Sequence, residues 1–532
     1  MMRESMSLTQ RSTKTYSKKT QSSGKSSSDT RGDQLTQTFQ EQFQTSSVIG
    51  GRWVEASGDE ATELRFPHEA HGPLGAIQNV SKEQVDDAVR VAAKTFRSMR
   101  VMRDLRSRVQ ILREISRCLR DNVQQLSHLE TLDTGKLHKE SQKQILFASR
   151  MFAFYAGIAD KIYGTTMPLD DARYFNYSLR EPLGVVAILT AWNSPIQLLA
   201  NKLAPALAAG NAAVIKPSEH ASLSTLHLIG LLREYEVPPG LVNVVTGDAS
   251  VGTNLVSHQD VQHSSFTGGH RGGRSVGVIA MEKMNSVTLE LGGKSPNVVF
   301  ADADLDRALT GALVAGFSAA GQTCVAGSRL LLAREIKDAF LHRLASRADS
   351  IQVGNPFDES TQMGPIGTDM QFEQITGVLE IEKEAFSDRS TTRPLENQLR
   401  SETGGNYLNP QVLDISGRST SLRDTEVFGP VLVVDDFDGE GEAIEKANAT
   451  PFGLASGLWT RDLSRAHRVA RNIEAGTVWV NTYRQAAVQA PFGGYKKSGL
   501  GRERGLEAID SYLQTKNVMI DLEDEVDNPY GI

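Results

Sequence analysis

The stretch Gly184-Val185-Val186-Ala187-Ile188-Leu189, running on into Thr190-Ala191-Trp192-Asn193-Ser194-Pro195, decides the architecture of this 532-residue chain. Its first six residues carry no polar side chain, so neither face of a strand built from them suits water. Strands apolar on both faces belong to parallel sheets covered by helices. Downstream, Ala212-Ala213-Val214-Ile215, Leu241-Val242-Asn243-Val244-Val245 and Ser264-Ser265-Phe266 follow, separated by helix-length spacers. This rhythm predicts a parallel sheet with right-handed crossovers. It restarts after residue 290 with Asn297-Val298-Val299-Phe300, Arg329-Leu330-Leu331-Leu332 and Val431-Leu432-Val433-Val434, so two α/β domains are expected. No internal repeat is present.

Upstream, Val48-Ile49-Gly50-Gly51-Arg52-Trp53 reads as a short strand and turn. Ser81 with Gln84 forms a capping box. It opens a helix with Val85, Ala88, Val89, Ala92 and Phe96 on one face. A second helical region, about 103–126, carries Cys118, which has no nearby base or glycine loop and is read as structural. Residues 380–403 are polar and read as an exposed, irregular excursion. Residues 1–45 are rich in Ser, Thr and basic residues with almost nothing apolar, a composition that cannot offset its ordering entropy and is expected to be disordered.

At 39% hydrophobic and 23% charged, the composition is that of a soluble globular protein. A net charge of −7 gives no reason to expect nucleic acid as a partner. No apolar run reaches the ~18 residues of a membrane span. Two cysteines are too few for a disulfide framework, so a reducing, cytoplasmic setting is expected. The Ser-rich, basic tail leaves organelle targeting as the alternative, against which Glu4, Asp29 and Asp33 count.

Several polar residues stand where such a sheet presents ligand sites, at strand ends. Asn193 follows the first strand; its amide can donate to a developing oxyanion, although Asn-Ser-Pro also suits a plain turn. Lys216 and Glu219, in Lys216-Pro217-Ser218-Glu219, can grip vicinal ribose hydroxyls or simply begin a helix. Phe266-Thr267-Gly268-Gly269-His270-Arg271-Gly272-Gly273 reads as strand, glycine-rich turn and helix, a place where phosphate can approach backbone N–H groups. Cys324, in Gly321-Gln322-Thr323-Cys324, and Glu290, in Leu289-Glu290-Leu291-Gly292-Gly293-Lys294, suggest covalent chemistry at a carbonyl, the thiolate attacking and the carboxylate activating water. No metal is expected.

Together these segments resemble the NAD(P)-dependent aldehyde dehydrogenase superfamily over residues about 48–525. Glu426-Val427-Phe428-Gly429-Pro430 and Pro491-Phe492-Gly493-Gly494 complete the family's motifs, in its order and spacing. The resemblance implies an α/β fold with a cofactor-binding domain (46–163 and 183–292), a catalytic domain (293–507) and a β oligomerisation arm (164–182 and 508–525). It implies that Cys324 is the nucleophile, that Asn193 and the Cys324 N–H form the oxyanion hole, and that Glu290 activates the deacylating water. Lys202 and Glu503 match auxiliary positions for proton movement. Trp192, Lys216, Ser218, Glu219, Gly268, Gly269, Gly273, Leu291, Glu426 and Phe428 would contact the cofactor. The implied partners are a small aldehyde and further copies of the chain, as homodimer or homotetramer.

The substrate pocket would be lined by Ser194, Leu198, Asn201, Thr323, Val325, Ala486 and Phe492. Ser194, Asn201 and Ala486 stand where relatives often carry aromatics, so the tunnel is expected to be wide and the aldehyde bulky or aromatic. Glu219 points to NAD, because a carboxylate repels a 2′-phosphate, while Gly269 and Arg271 leave NADP possible. Two competing functions fit the same pattern: a CoA-acylating dehydrogenase, against which Glu290 counts, and a catalytically idle relative, against which the intact set of polar residues counts.

Overall fold

The computed structural model describes residues 45–69, 75–98, 104–383, 392–524 and 529–531. Most of the expected tail and part of the 380–403 excursion lie outside these. The first sheet has eight strands, in the order Arg52–Val54, Ser47–Ile49, Val242–Val244, Ala212–Lys216, Val185–Leu189, Val261–Thr267, Ser286–Glu290 and Gly499–Leu500. The five strands from Val242–Val244 to Ser286–Glu290 are parallel, and every residue of Val185–Leu189 and Ala212–Lys216 is buried. Ser47–Ile49 and Arg52–Val54 form an antiparallel hairpin turned by Gly50 (φ +61°) and Gly51 (φ +75°), the left-handed pair that a two-residue turn of this hand requires. The Ser81–Gln84 capping box forms reciprocally, Ser81 N–H donating to Gln84 Oε1 (3.0 Å) and Gln84 N–H to Ser81 Oγ (3.3 Å).

The second sheet has six parallel strands in the order Gln411–Asp414, Val431–Phe437, Arg329–Ala333, Pro296–Val299, Ala455–Trp459 and Thr477–Val480. Each sheet carries its own apolar core. Gly499–Leu500 crosses over from the later half of the chain to pair antiparallel with Ser286–Glu290, tying the two halves together beside Glu290.

Two expectations need correction. The helical region 103–126 is two helices, Leu105–Asp121 and Val123–Thr134, divided at Asn122, whose amide bonds back to the Cys118 carbonyl (2.8 Å). The 380–403 stretch is partly ordered, since Gln398–Thr403 is helical and its N-cap Asn397 accepts from Leu399 N–H. The two arm segments pair within one chain: Leu513–Asp521 lies antiparallel to Tyr174–Pro182 along their full length. Residues 508–512 are not part of this ribbon, because Ala508, Ile509 and Tyr512 are buried in the first core. Among the described residues no helix is long and apolar enough to cross a membrane, and no group of three or more His, Cys, Asp or Glu side chains is placed to hold a metal ion.

Candidate active site

Strand ends of the first sheet and a helix-to-strand loop of the second bring the polar residues together. Asn193 sits between the strand Val185–Leu189 and the helix Pro195–Ala209, which has Pro195 in its first turn. Its Nδ2 donates to the Gln322 carbonyl (3.0 Å), two residues before Cys324. Gln322 is itself fixed, its amide accepting from Gly367 N–H (2.8 Å) and donating to the Ala319 and Pro365 carbonyls. The preceding Ala319 and Ala320 are both left-handed (φ +53°), a conformation costing ~1–2 kcal/mol per residue for a chain with Cβ atoms. A Cβ at Gly321 (φ +72°) would lie 2.0 Å from the Gly429 carbonyl, so only glycine fits there. This strained, fully bonded turn presents Cys324, half-buried, beside Asn193.

Burial, with Glu290 and Glu426 next in size, pushes the Cys324 thiol up to about 12. Alkylation of the cofactor-free protein by iodoacetamide should therefore keep rising about tenfold per pH unit through pH 9 and 10; a plateau near pH 7 would mean the thiol is already ionised at rest.

Glu290 ends its strand, fully enclosed, and neither carboxylate oxygen has a hydrogen-bond partner among the described residues. Burial and then the neighbouring Glu503 raise its carboxyl well above the usual range. A Cβ at Gly493 would come within 2.9 Å of Glu290 Oε1, which keeps the carboxylate against bare backbone. Lys202 is buried, paired with Glu503 and 3.3 Å from Ser265 Oγ.

A cleft of about 290 Å³ opens along the strand ends of the first sheet, lined by Trp192, Lys216, Ser218, Glu219, Gly268 and Gly269 among others. Lys216 Nζ bonds Glu219 Oε2 (3.1 Å) and the Gly247 carbonyl (2.6 Å). The helix His270–Glu282 starts at Gly269, where a Cβ would meet nothing within 4 Å. Its exposed N–H groups therefore face open space, the arrangement that suits a phosphate. Gly273 lies inside this helix rather than in the turn, and a Cβ there would come within 2.3 Å of Leu291, so its glycine serves close packing of helix on strand. Glu426 stands apart from this cleft: Oε1 accepts from Gly293 N–H (3.0 Å), burial lifts its carboxyl to about 7, and a Cβ on Gly292 would strike Oε2 at 1.8 Å. Phe428 (φ +53°) meets Trp192 edge-on at 5.6 Å between ring centres.

The positions expected to widen the tunnel behave differently from one another. Ala486 is exposed, and Leu198, Thr323, Val325 and Phe492 are half-buried. Ser194 is not an empty site, since its hydroxyl accepts from the buried Lys136 Nζ (3.0 Å). Asn201 is fully buried and leaves no gap: Nδ2 donates to Glu503 Oε2 (3.1 Å) and Oδ1 accepts from Arg504 Nε (3.3 Å). Arg504 lies against Asn201 through this bond and is itself buried. Sequence reasoning assigned no role to Arg504, Lys136 or Gln322, though Arg504 directly follows Glu503.

With this geometry in view, the comparisons with known proteins converge. The sequence model of the Aldehyde dehydrogenase family matches residues 53–518. A (Z)-2-((N-methylformamido)methylene)-5-hydroxybutyrolactone dehydrogenase of Acinetobacter baylyi is 43% identical over 484 residues, covering 89% of this chain and 97% of that protein. A betaine aldehyde dehydrogenase of Sinorhizobium fredii is 40% identical, covering 92% of this chain and 99% of its own length. Among solved structures, a betaine aldehyde dehydrogenase of Staphylococcus aureus in complex with NAD+ superposes with a TM-score of 0.88 at 33% identity, covering 94% of this chain and 99% of that one. The chain belongs to the aldehyde dehydrogenase family. It is an oxidoreductase acting on aldehydes.

Proposed function

We propose that this chain oxidises a substituted aldehyde to its carboxylic acid with NAD, through a thioester on Cys324. The observation that carries the reading is the convergence of Cys324, from the loop between the turn Ser318–Gly321 and the strand Arg329–Ala333, with Asn193 and Glu290, from two strand ends. The cleft fits the dinucleotide: Lys216 and Glu219 offer a cation and a carboxylate to the adenosine ribose, and the open N-terminus at Gly269 offers N–H groups to the pyrophosphate. Glu426 would take the second ribose and Phe428 would pack beside the ring. When bound, the nicotinamide supplies the two-electron acceptor that no side chain provides.

The chain's own part is as follows. Cys324 Sγ, once deprotonated, adds to the aldehyde carbon and leaves an alkoxide. Asn193 Nδ2 and the Cys324 N–H stabilise that oxygen; one such donor is worth about 3 kcal/mol. Asn193 must release the Gln322 carbonyl to do so, or share its second amide hydrogen. Loss of two electrons and a proton from the former aldehyde carbon leaves the thioester. Glu290 then takes a proton from water as that water attacks, releasing the acid and the thiol. The enclosed, unbonded Glu290 oxygens favour water over CoA as acyl acceptor, and Lys202 with Glu503 offers a buried route for the proton.

The wide tunnel and bulky or aromatic aldehyde of the sequence reading find support at exposed Ala486 and none at Asn201, which is buried and hydrogen-bonded to Arg504. A polar substituted aldehyde fits this lining better than an unsubstituted aromatic or terpenoid one. The direct experiment follows NADH formation and product identity across aldehydes. Free acid is expected; acyl-CoA formed only with CoA present would overturn the hydrolytic step.

The Lys216–Glu219 pair predicts cofactor choice. Glu219→Gln removes the charge that would repel a 2′-phosphate and frees Lys216 to meet it. The ratio of kcat/KM for NAD over NADP should fall about tenfold or more; an unchanged ratio would place discrimination elsewhere.

A further inference from the structure

We propose that Arg504 binds a carboxylate on the substrate, so that the preferred aldehyde carries a carboxylate on its far end. This rests on the reading of Cys324 as the nucleophile and names the substrate class for that site. Arg504 is 8% exposed, yet only its Nε has a hydrogen-bond partner among the described residues, the Asn201 amide oxygen at 3.3 Å. Its guanidinium carries four further N–H donors on the two terminal nitrogens, and the neighbouring carboxylate does not reach them. Glu503 spends one oxygen on Lys202 and the other on Asn201. The charge of Arg504 is therefore largely enclosed with no ion-pair partner among the described residues, its terminal nitrogens left open to an incoming acceptor.

The side chain is also held rigidly. It lies against the faces of Phe147 (5.3 Å to the ring centre) and Phe492 (4.7 Å), the latter among the expected pocket residues. Its backbone is left-handed (φ +60°) and is locked there from both sides. Glu503 exchanges two hydrogen bonds with Phe492 (2.7 Å each), and Gly505 N–H donates to Val488 (3.0 Å). Such a conformation persists only where the surroundings enforce it. Arg504 also lies close enough to the reacting groups for its charge to act on both the Cys324 thiol and the Glu290 carboxyl, though less than burial does.

A planar fork with both terminal nitrogens free matches a carboxylate bidentately. Asn201, by holding Nε, sets the plane of that fork and is a positioning residue. A quaternary ammonium tail would face this uncompensated cation and be disfavoured.

The test compares matched aldehydes: glutaric semialdehyde, pentanal and betaine aldehyde, each with purified full-length protein and NAD. The wild type should favour the semialdehyde over pentanal in kcat/KM, and glutarate should inhibit competitively with the aldehyde. In Arg504→Leu the semialdehyde-to-pentanal ratio should fall roughly 10- to 100-fold, through KM more than kcat. Arg504→Lys should keep part of the preference. A wild type that prefers pentanal or betaine aldehyde, absence of glutarate inhibition, or an unchanged ratio in the variants would overturn the assignment. The wild-type preference and the inhibition decide it even if Arg504→Leu does not fold. Cys324-dependent oxidation of pentanal without preference for the semialdehyde would defeat this inference alone. Failure to oxidise any aldehyde would defeat the underlying reading as well.

Discussion

Cys324→Ala should lower aldehyde-dependent NADH formation on the order of 10⁴-fold or more, with NAD binding and folding intact. The size follows from the site's economy. Asn193 stabilises an alkoxide that exists only after sulfur has added, and Glu290 activates water against a thioester that exists only after oxidation. Removing the sulfur therefore silences both. Alanine is well tolerated sterically, because the turn that presents Cys324 is held by Gln322, Gly321 and the Asn193–Gln322 bond rather than by the thiol. Cofactor affinity, read by quenching of protein fluorescence, should change little, since the cleft lined by Lys216, Glu219 and Gly268 lies on the other sheet. Residual activity above a few per cent would mean that another group carries the addition.

Glu290→Gln should slow turnover roughly 10²- to 10⁴-fold, the span usual for losing a general base, while leaving the first oxidation fast. Mixing with aldehyde and NAD should then give a burst of about one NADH per site followed by a slow phase. The pH dependence gives a second readout. Burial raises the Glu290 carboxyl well above its ordinary range. A general base works only when ionised, so kcat limited by deacylation should rise with pH through that raised pKa and level off above it. Glutamine cannot ionise, so the limb should vanish in the variant. A variant with no burst would place Glu290 in the oxidation itself. One that retained both rate and limb would remove it from the mechanism.

How much of this was legible in the sequence depended on whether the decisive contacts were local. Val185–Leu189 and Ala212–Lys216 declared themselves because every side chain is apolar and buried, and Asn193 and Lys216 declared themselves by standing at their ends. Ala455–Trp459 did not, although it is equally buried: its Ser456 and Gly457 are poor strand formers, and the glycine is needed because a Cβ would meet Asn297 Oδ1 at 2.4 Å and the Tyr483 ring at 2.6 Å. The helix His138–Ile158 went unread because its buried residues are spread among polar ones and it has no side-chain N-cap bond. The bonds of Asn201 were hidden for a related reason. A small residue suggests space only if nothing distant bonds to it, and Arg504, 303 positions later, does. The intrachain pairing of Leu513–Asp521 with Tyr174–Pro182 could not be read locally, because it joins segments separated by most of the chain.

The most direct test of the central claim is mass spectrometry of Glu290→Gln protein quenched in acid moments after mixing with NAD and a turned-over aldehyde. The peptide containing Cys324 should gain the aldehyde's mass less two hydrogens, the signature of an oxidised acyl group held as a thioester, and the gain should require NAD. An unmodified Cys324 peptide during the NADH burst, or the acyl group on any other residue, would contradict the account.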